Sequence, residues 1–267
     1  MPKISVIMGV YNCRNFSLLK KSIESIINQT FKDWELVICD DGSTNETYQE
    51  LVQLATMDNR IKIIHYEKNS GLAYALNECI KHSNGEYIAR QDDDDISLPT
   101  RLEKEIEFLQ RNTDVDIVGT NAKVYNDEGV WGNYVVPYAP TKDDFLWNSP
   151  FIHPTVMIKK DKLVDVAGYR VAKETRRCED YDLFMRLYAK GYKGVNLQEY
   201  LYKYRIENNN VKKRPMKYRI DEMIVRYKNY KNLKLGIKAY PYVVKPIILG
   251  LIPQSIFRII RKKVYWY

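Results

Sequence analysis

The apolar positions of the chain change period as it is read from its start. Residues 3–10 (KISVIMGV) are a nearly continuous β-branched and apolar run, the mark of a strand buried on both faces. Leu19, Ile23, Ile26 and Ile27 then return at helical spacing. Further strand-like runs lie at 34–39 (WELVIC), 61–66 (IKIIHY) and 86–90. Helical stretches separate them. One covers 44–57, with Ser43 or Thr44 as its cap. A second is marked by Leu72, Ala75, Leu76, Cys79 and Ile80. A third opens at Pro99 and buries Leu102, Ile106 and Leu109. This alternation predicts an α/β fold, a Rossmann-like and mostly parallel sheet flanked by helices. Ligands of such sheets bind beyond the carboxyl ends of the strands.

From 115 to 205 the pattern is less regular. Strands are predicted at 115–118, 130–136, 155–158 and 201–206, and a helix at 180–190 with Leu183, Phe184, Leu187 and Tyr188 apolar. After Pro215 the texture shifts again. Met216, Ile220, Met223, Ile224 and Tyr227 make a helical stripe among Lys and Arg. A Pro-punctuated apolar segment follows at 241–253. A last stretch then sets Ile256, Phe257, Ile260 and Val264 opposite Arg258, Arg261, Lys262 and Lys263.

Charge sharpens that division. The net +8 of the 267 residues is unevenly spread: residues 206–267 hold 15 Lys and Arg against 3 Asp and Glu, and the first 205 hold 27 against 31. A basic, aromatic-tipped amphipathic tail reads as an interfacial helix on anionic lipid, and the competing reading is a packing tail or dimer contact. No nucleic-acid motif accompanies it, so nucleic acid is not expected as a partner. No leader of the secretory kind and no apolar run of membrane-spanning length is visible. Cys13, Cys39, Cys79 and Cys178 are widely spaced, which disfavours a zinc site or disulfide framework. The expected location is therefore the cytoplasm, peripheral at the inner face of the cell membrane.

Two acidic clusters follow predicted strands. Four consecutive carboxylates, Asp92 to Asp95, repel one another, and Mg²⁺ or Mn²⁺ is one way to compensate them. A solvated acidic loop is the other reading. Asp40-Asp41-Gly42-Ser43 reads either as an Asx-type turn or as a set of carboxylate acceptors for a nucleotide base or ribose. Glu179-Asp180 stands at a predicted helix start, where acidic residues also favour the macrodipole.

These residues form an ordered set. Tyr11-Asn12 follows the first strand, and Ser22-Ile23 and Gln29-Thr30 come next. Asp40-Asp41-Gly42-Ser43-Thr44, Asn69, Gly71, Asn77 and Gly85-Glu86-Tyr87-Ile88-Ala89 lead to the four aspartates, Leu98-Pro99 and Arg101-Leu102. His153-Pro154, Gly168-Tyr169-Arg170, Glu179-Asp180-Tyr181-Asp182-Leu183 and Tyr204-Arg205 complete it. In order and spacing the set resembles the family 2 inverting glycosyltransferases of the GT-A fold, of the bacterial cell-surface polysaccharide kind, over about residues 3 to 206.

The resemblance implies a catalytic domain over 1–210, with a nucleotide-binding half to about 110 and an acceptor half over 111–210. Residues 211–267 would then be the basic tail. It implies a nucleotide-sugar donor, a UDP-hexose or UDP-N-acetylhexosamine by default, and a glycan or polyprenyl-diphosphate-linked acceptor. The start of the Asp40-Asp41 pair would contact the base, with Tyr11 and Asn12 lining the same pocket. Asp92-x-Asp94 resembles the DxD motif: Asp94 would be the main metal ligand, Asp92 would serve ribose or metal, and Asp93 is an extra charge within the donor site. Asp180 resembles the general base, with Asp182 structural. Relatives often carry a His shortly after the Tyr-Arg pair. Here Glu207 and Asn208 to Asn210 follow, so one of these, or water, would stand on the metal side. Lys212, Lys213 and Arg214 could close over the diphosphate, and His153 reads as a loop histidine.

Two other functions compete. A nucleotidyltransferase also places acidic metal ligands at strand ends, but Gly9-Val10-Tyr11-Asn12 offers no Gly-rich phosphate loop with a basic residue. A non-catalytic membrane-surface module would need neither the acidic cluster nor Glu179-Asp180. A dehydrogenase is disfavoured because no G-x-G-x-x-G follows a predicted strand.

Overall fold

The computed structural model describes residues 1–207 and 214–253. Four strands, β1 (Ile4–Val10), β2 (Trp34–Asp41), β3 (Ile61–Tyr66) and β4 (Tyr87–Arg90), stand in the order β3-β2-β1-β4 and all run parallel. The helices between them are α1 (Phe16–Ile27), α2 (Thr47–Ala55) and α3 (Leu72–His82). Along β1 the side chains alternate between two cores. Val6 and Met8 pack with Leu19, Ile23 and Ile26 of α1, whereas Ile7 packs with Ala75, Leu76 and Cys79 of α3. Burial on both faces is why the run has no polar alternation. All four cysteines are buried and free.

The remaining strands give the sheet a mixed second half. These are β5 (Ile96–Ser97), β6 (Ile117–Asn126), β7 (Gly129–Tyr134), β8 (Met157–Lys159) and β9 (Gly194–Arg205). β8 joins β4 and β6 antiparallel, β6 and β9 pair parallel, and β5 and β7 add antiparallel edges. The parallel expectation thus describes the first four strands. β9 begins seven residues before the predicted 201, and β6 runs well beyond 118, because register shifts near Thr120 to Ala122 interrupt their periodicity. α4 (Arg101–Arg111) covers the α1 face, while α5 (Lys160–Asp165) and α6 (Glu179–Ala189) lie on the α3 side.

One local expectation needs correcting. α2 starts at Thr47 rather than 44, and neither Ser43 nor Thr44 caps it. The Ser43 hydroxyl instead donates to Asp40 at 2.5 Å and accepts the Asn12 N–H at 2.8 Å, tying the ends of β1 and β2 together. On α7 (Met216–Asn232) the stripe residues Met216, Ile220 and Tyr227 are exposed and Met223 packs in part on the core, while Arg219, Glu222, Val225, Arg226, Asn229 and Tyr230 are buried. On that buried face Arg226 donates to the Leu146 and Trp147 carbonyls and to Glu222.

The predicted boundary at 210 lies outside the described residues. Beyond it, Val225, Tyr230, Leu233 and Leu235, with Val243 of α8 (Tyr240–Leu251), share a core cluster with α3 and α6. Among the described residues no helix is long and apolar enough to cross a membrane. The expected final basic stretch, 256–264, lies outside the described residues.

Candidate active site

The site forms where β1, β2 and β4 end. A cleft of about 590 Å³ opens beyond β1 and β2, lined by Tyr11, Asp41, residues 69–73 and members of 171–179 that include Glu179, while Asp92 to Asp95 and Asp180 lie outside its lining. Tyr11 is half exposed at its edge. Asn12 adopts φ +46°, and its side-chain oxygen accepts the Thr44 N–H at 2.8 Å. Its amide therefore braces the loop after β2.

The two aspartates at the end of β2 have different work. Asp40 is fully buried, accepting from Ser43 and pairing with His65 Nδ1 at 2.8 Å. Asp41 is the member that lines the cleft, where the resemblance pointed to the start of the pair. Strand alternation explains the split, since successive side chains take opposite faces. Asp41 accepts the N–H groups of Ser70 and Gly71 at 2.9 and 2.7 Å and the Asn69 amide at 2.8 Å. Burial raises its pKa against the pull of those donors. The intervening Gly42 has φ +72°, and a Cβ there would meet Asn69 N at 2.5 Å. Only glycine fits that approach.

After β4, Arg90 points a buried guanidinium at Asp92, and the two form an ion pair. Ser22 of α1 holds the Asp92 carbonyl at 2.7 Å, and Tyr202 of β9 takes its N–H at 3.3 Å. Asp93 is half-buried; desolvation, with Asp94 and Asp92 beside it, pushes its pKa up to about 7. Asp94 is the exposed member of the run; the protein around its carboxyl and Asp92 raise its pKa to about 6, against the pull of Arg205. Asp95 is buried and accepts the Arg205 N–H at 2.7 Å, leaving one carboxyl oxygen without a partner. Crowded carboxylates of this kind fit a hard divalent cation. Among the described residues no three His, Cys, Asp or Glu side chains form a ready-made metal cage.

Asp180 stands in the first turn of α6. Burial and the negative charge of Asp92 raise its pKa, while the Tyr181 N–H and Arg214 lower it. The acidic loop after β4 and the start of α6 thus share one electrostatic neighbourhood. Asp182 is structural, as expected: it is fully buried between Arg170 at 2.6 Å and Arg186 at 2.8 Å. Glu207, expected on the metal side, is engaged by Arg205, which also pairs with Asp127 at 2.9 Å. Asn208 to Asn210, Lys212 and Lys213 lie outside the described residues. His153 is held uncharged by burial and the nearby Arg90, and its Nε2 meets the Tyr169 hydroxyl at 2.8 Å. Residues the sequence reading passed over are Arg90, committed to Asp92, and Lys173, Arg176 and Arg177 on the cleft wall. The strand ending at Arg90 was visible, but nothing in its pattern separates a buried arginine from a surface one.

The family model described as glycosyl transferase family 2 matches residues 5–171. The chain is 42% identical to the glycosyltransferase EpsE of Bacillus subtilis (strain 168), over 98% of this chain and 94% of that protein. It is 29% identical to the UDP-Gal:alpha-D-GlcNAc-diphosphoundecaprenol beta-1,3-galactosyltransferase of Escherichia coli, over 98% and 96%. Among solved structures it resembles S. aureus TarS 1–349 in complex with UDP-GlcNAc, with a TM-score of 0.68, 19% identity, and 95% and 82% of the two chains covered. Of the S. aureus TarS chain in another crystal structure it spans 39%. It also resembles the mannosyltransferase PcManGT of Pyrobaculum calidifontis in complex with GDP-Man and Mn²⁺, with a TM-score of 0.65, 17% identity, and coverage of 92% and 72%. These structural likenesses concern the fold.

Proposed function

The chain belongs to glycosyl transferase family 2 and is a glycosyltransferase, and from that premise we propose that it is an inverting, metal-dependent enzyme of polysaccharide biosynthesis that uses a UDP-sugar. One observation carries the reading: Asp92 after β4 and Asp180 at the start of α6 come from different elements yet interact through their charges, and Glu179, beside Asp180, lines the same cleft as Tyr11 and Asp41.

An inverting transfer is one in-line displacement at the anomeric carbon. Asp180 takes the proton of the acceptor hydroxyl, and its raised pKa suits a base that must hold that proton. Asp41 and Tyr11 line the nucleoside end of the cleft. Asp92 and Asp94 would hold a divalent cation, which would supply the charge neutralisation that a departing diphosphate needs. Arg90 keeps Asp92 in place.

The acceptor in this reading is a glycan on a polyprenyl diphosphate, in line with the name of the E. coli relative. The protein works at the inner face of the cell membrane, held by its C-terminal region to anionic lipid. Exposed Tyr227, Ile237, Tyr240, Val244, Ile248 and Leu251, among lysines, support that placement. The test is donor turnover with Mn²⁺ across UDP-, GDP- and dTDP-sugars. Release of nucleoside diphosphate from a UDP-sugar supports the reading, and turnover of another donor alone contradicts the UDP assignment.

A further inference from the structure

Opposite Tyr11 and Asp41, the cleft is walled by the loop that precedes α6, with Lys173, Arg176 and Arg177 all lining it. Two carboxylates line the same cleft: Asp41 is already occupied by three N–H donors, and Glu179 lies in the field of Arg177. Among the described residues, no side-chain hydrogen bond or ion pair engages Lys173, Arg176 or Arg177. The lining of the cleft therefore carries more positive than negative side chains.

The loop is braced in place. Thr175 is buried; its hydroxyl donates to the Arg170 carbonyl at 2.7 Å and accepts the Ala172 N–H at 3.2 Å. Glu174 pairs with Lys228 of α7 at 2.8 Å and with Arg170 at 3.6 Å. Immediately beyond, Arg177 adopts φ +68°, a conformation that residues with a Cβ rarely take. Such backbone persists where the surroundings over-determine it, and it clusters at ligand clamps and active sites. Two independent observations thus fall on one segment: three cations lining a cleft, and a left-handed arginine three residues before Asp180.

We propose that Arg176 and Arg177, with Lys173, form a cationic clamp for the diphosphate of the nucleotide donor, held rigid against the sheet by α7. The clamp is distinct from the acidic loop after β4: it binds the phosphates directly, and the carboxylates act on them through a cation. The positive charge of these side chains draws the diphosphate, and their N–H donors reach its oxygens in charge-assisted hydrogen bonds. The inference rests on the nucleotide-sugar reading and adds residues to it. It also gives the C-terminal helices a part in donor binding, through the Glu174–Lys228 pair.

The test is calorimetric titration of UDP with Mn²⁺ into the full chain and three variants. Arg176→Gln/Arg177→Gln should weaken UDP binding by about tenfold or more, with the thermal midpoint preserved. Arg176→Lys/Arg177→Lys should recover most of the affinity, and Lys142→Gln/Lys190→Gln, equal in charge removed, should bind as the parent does. A glutamine pair that stays folded and binds UDP within about twofold of the parent overturns the clamp. So does a lysine pair as weak as the glutamine pair, since packing rather than charge would then be at work. A parent chain silent towards UDP, GDP and dTDP overturns the donor reading itself.

Discussion

Asn229 of α7 donates its amide to the Asp182 carboxylate of α6 at 2.9 Å, in the interior of the protein. Asp182 also holds Arg170 and Arg186, and Arg186 reaches the Val166 and Gly168 carbonyls. α7 is therefore wired to the helix that presents Asp180. Replacing Asn229 by Ala should cost about 1–3 kcal/mol in urea unfolding. Asp182→Asn, which strips Arg186 of its counter-charge and leaves Arg170 only Glu174, should cost about 3–5 kcal/mol. Equal stability of both variants and the parent would show that α7 is only loosely attached.

The acidic loop makes a prediction about pH. Asp93 and Asp94 hold their protons to about 7 and about 6 in the folded chain, against 3.8 for an ordinary aspartate. Between about pH 4 and pH 7 the folded state thus binds more protons than the unfolded one, and stability of the metal-free protein falls as pH rises through that window. Mn²⁺ above about pH 7 should raise the thermal midpoint by binding the folded state. Asp93→Asn should raise it without metal. A metal-free pH dependence of the midpoint that is the same in Asp93→Asn/Asp94→Asn as in the parent would contradict the crowding argument.

Asp180→Asn should leave UDP affinity within about threefold and lower kcat by about 10²–10⁴. The measurement is steady-state turnover on the donor and acceptor that the parent accepts. A variant that loses UDP binding and keeps kcat would place Asp180 at the donor instead.

How much of this was legible beforehand depended on periodicity. β1 to β4 and their helices show in the sequence because each is one uninterrupted apolar period. β9 hid its first half because Gln198 and Glu199 face solvent where β6 and β9 slip register. The carboxylates of the acidic loop stood out as a run of like charge. Asp40 and Asp41 could not be ranked from sequence, because only the pleat decides which of two adjacent carboxylates meets the cleft. The buried face of α7 was not legible for a related reason. Arg219, Glu222 and Arg226 look like a solvated face until the Leu146 and Trp147 carbonyls are brought to them by the fold.

The exposed apolar residues of α7 and α8 predict where the protein meets lipid. The parent should co-float with vesicles rich in phosphatidylglycerol, and Ile248→Glu/Leu251→Glu should stay behind while keeping UDP affinity. Equal flotation of both would remove α8 from the contact.

The central claim is a metal-dependent nucleotide-sugar site built on the carboxylates after β4. Titration of UDP with and without Mn²⁺, repeated for Asp94→Ala, tests it most directly. The account predicts binding that requires Mn²⁺ and is lost in the variant while the thermal midpoint is kept. Binding of equal strength without metal, or binding unchanged in Asp94→Ala, would contradict it.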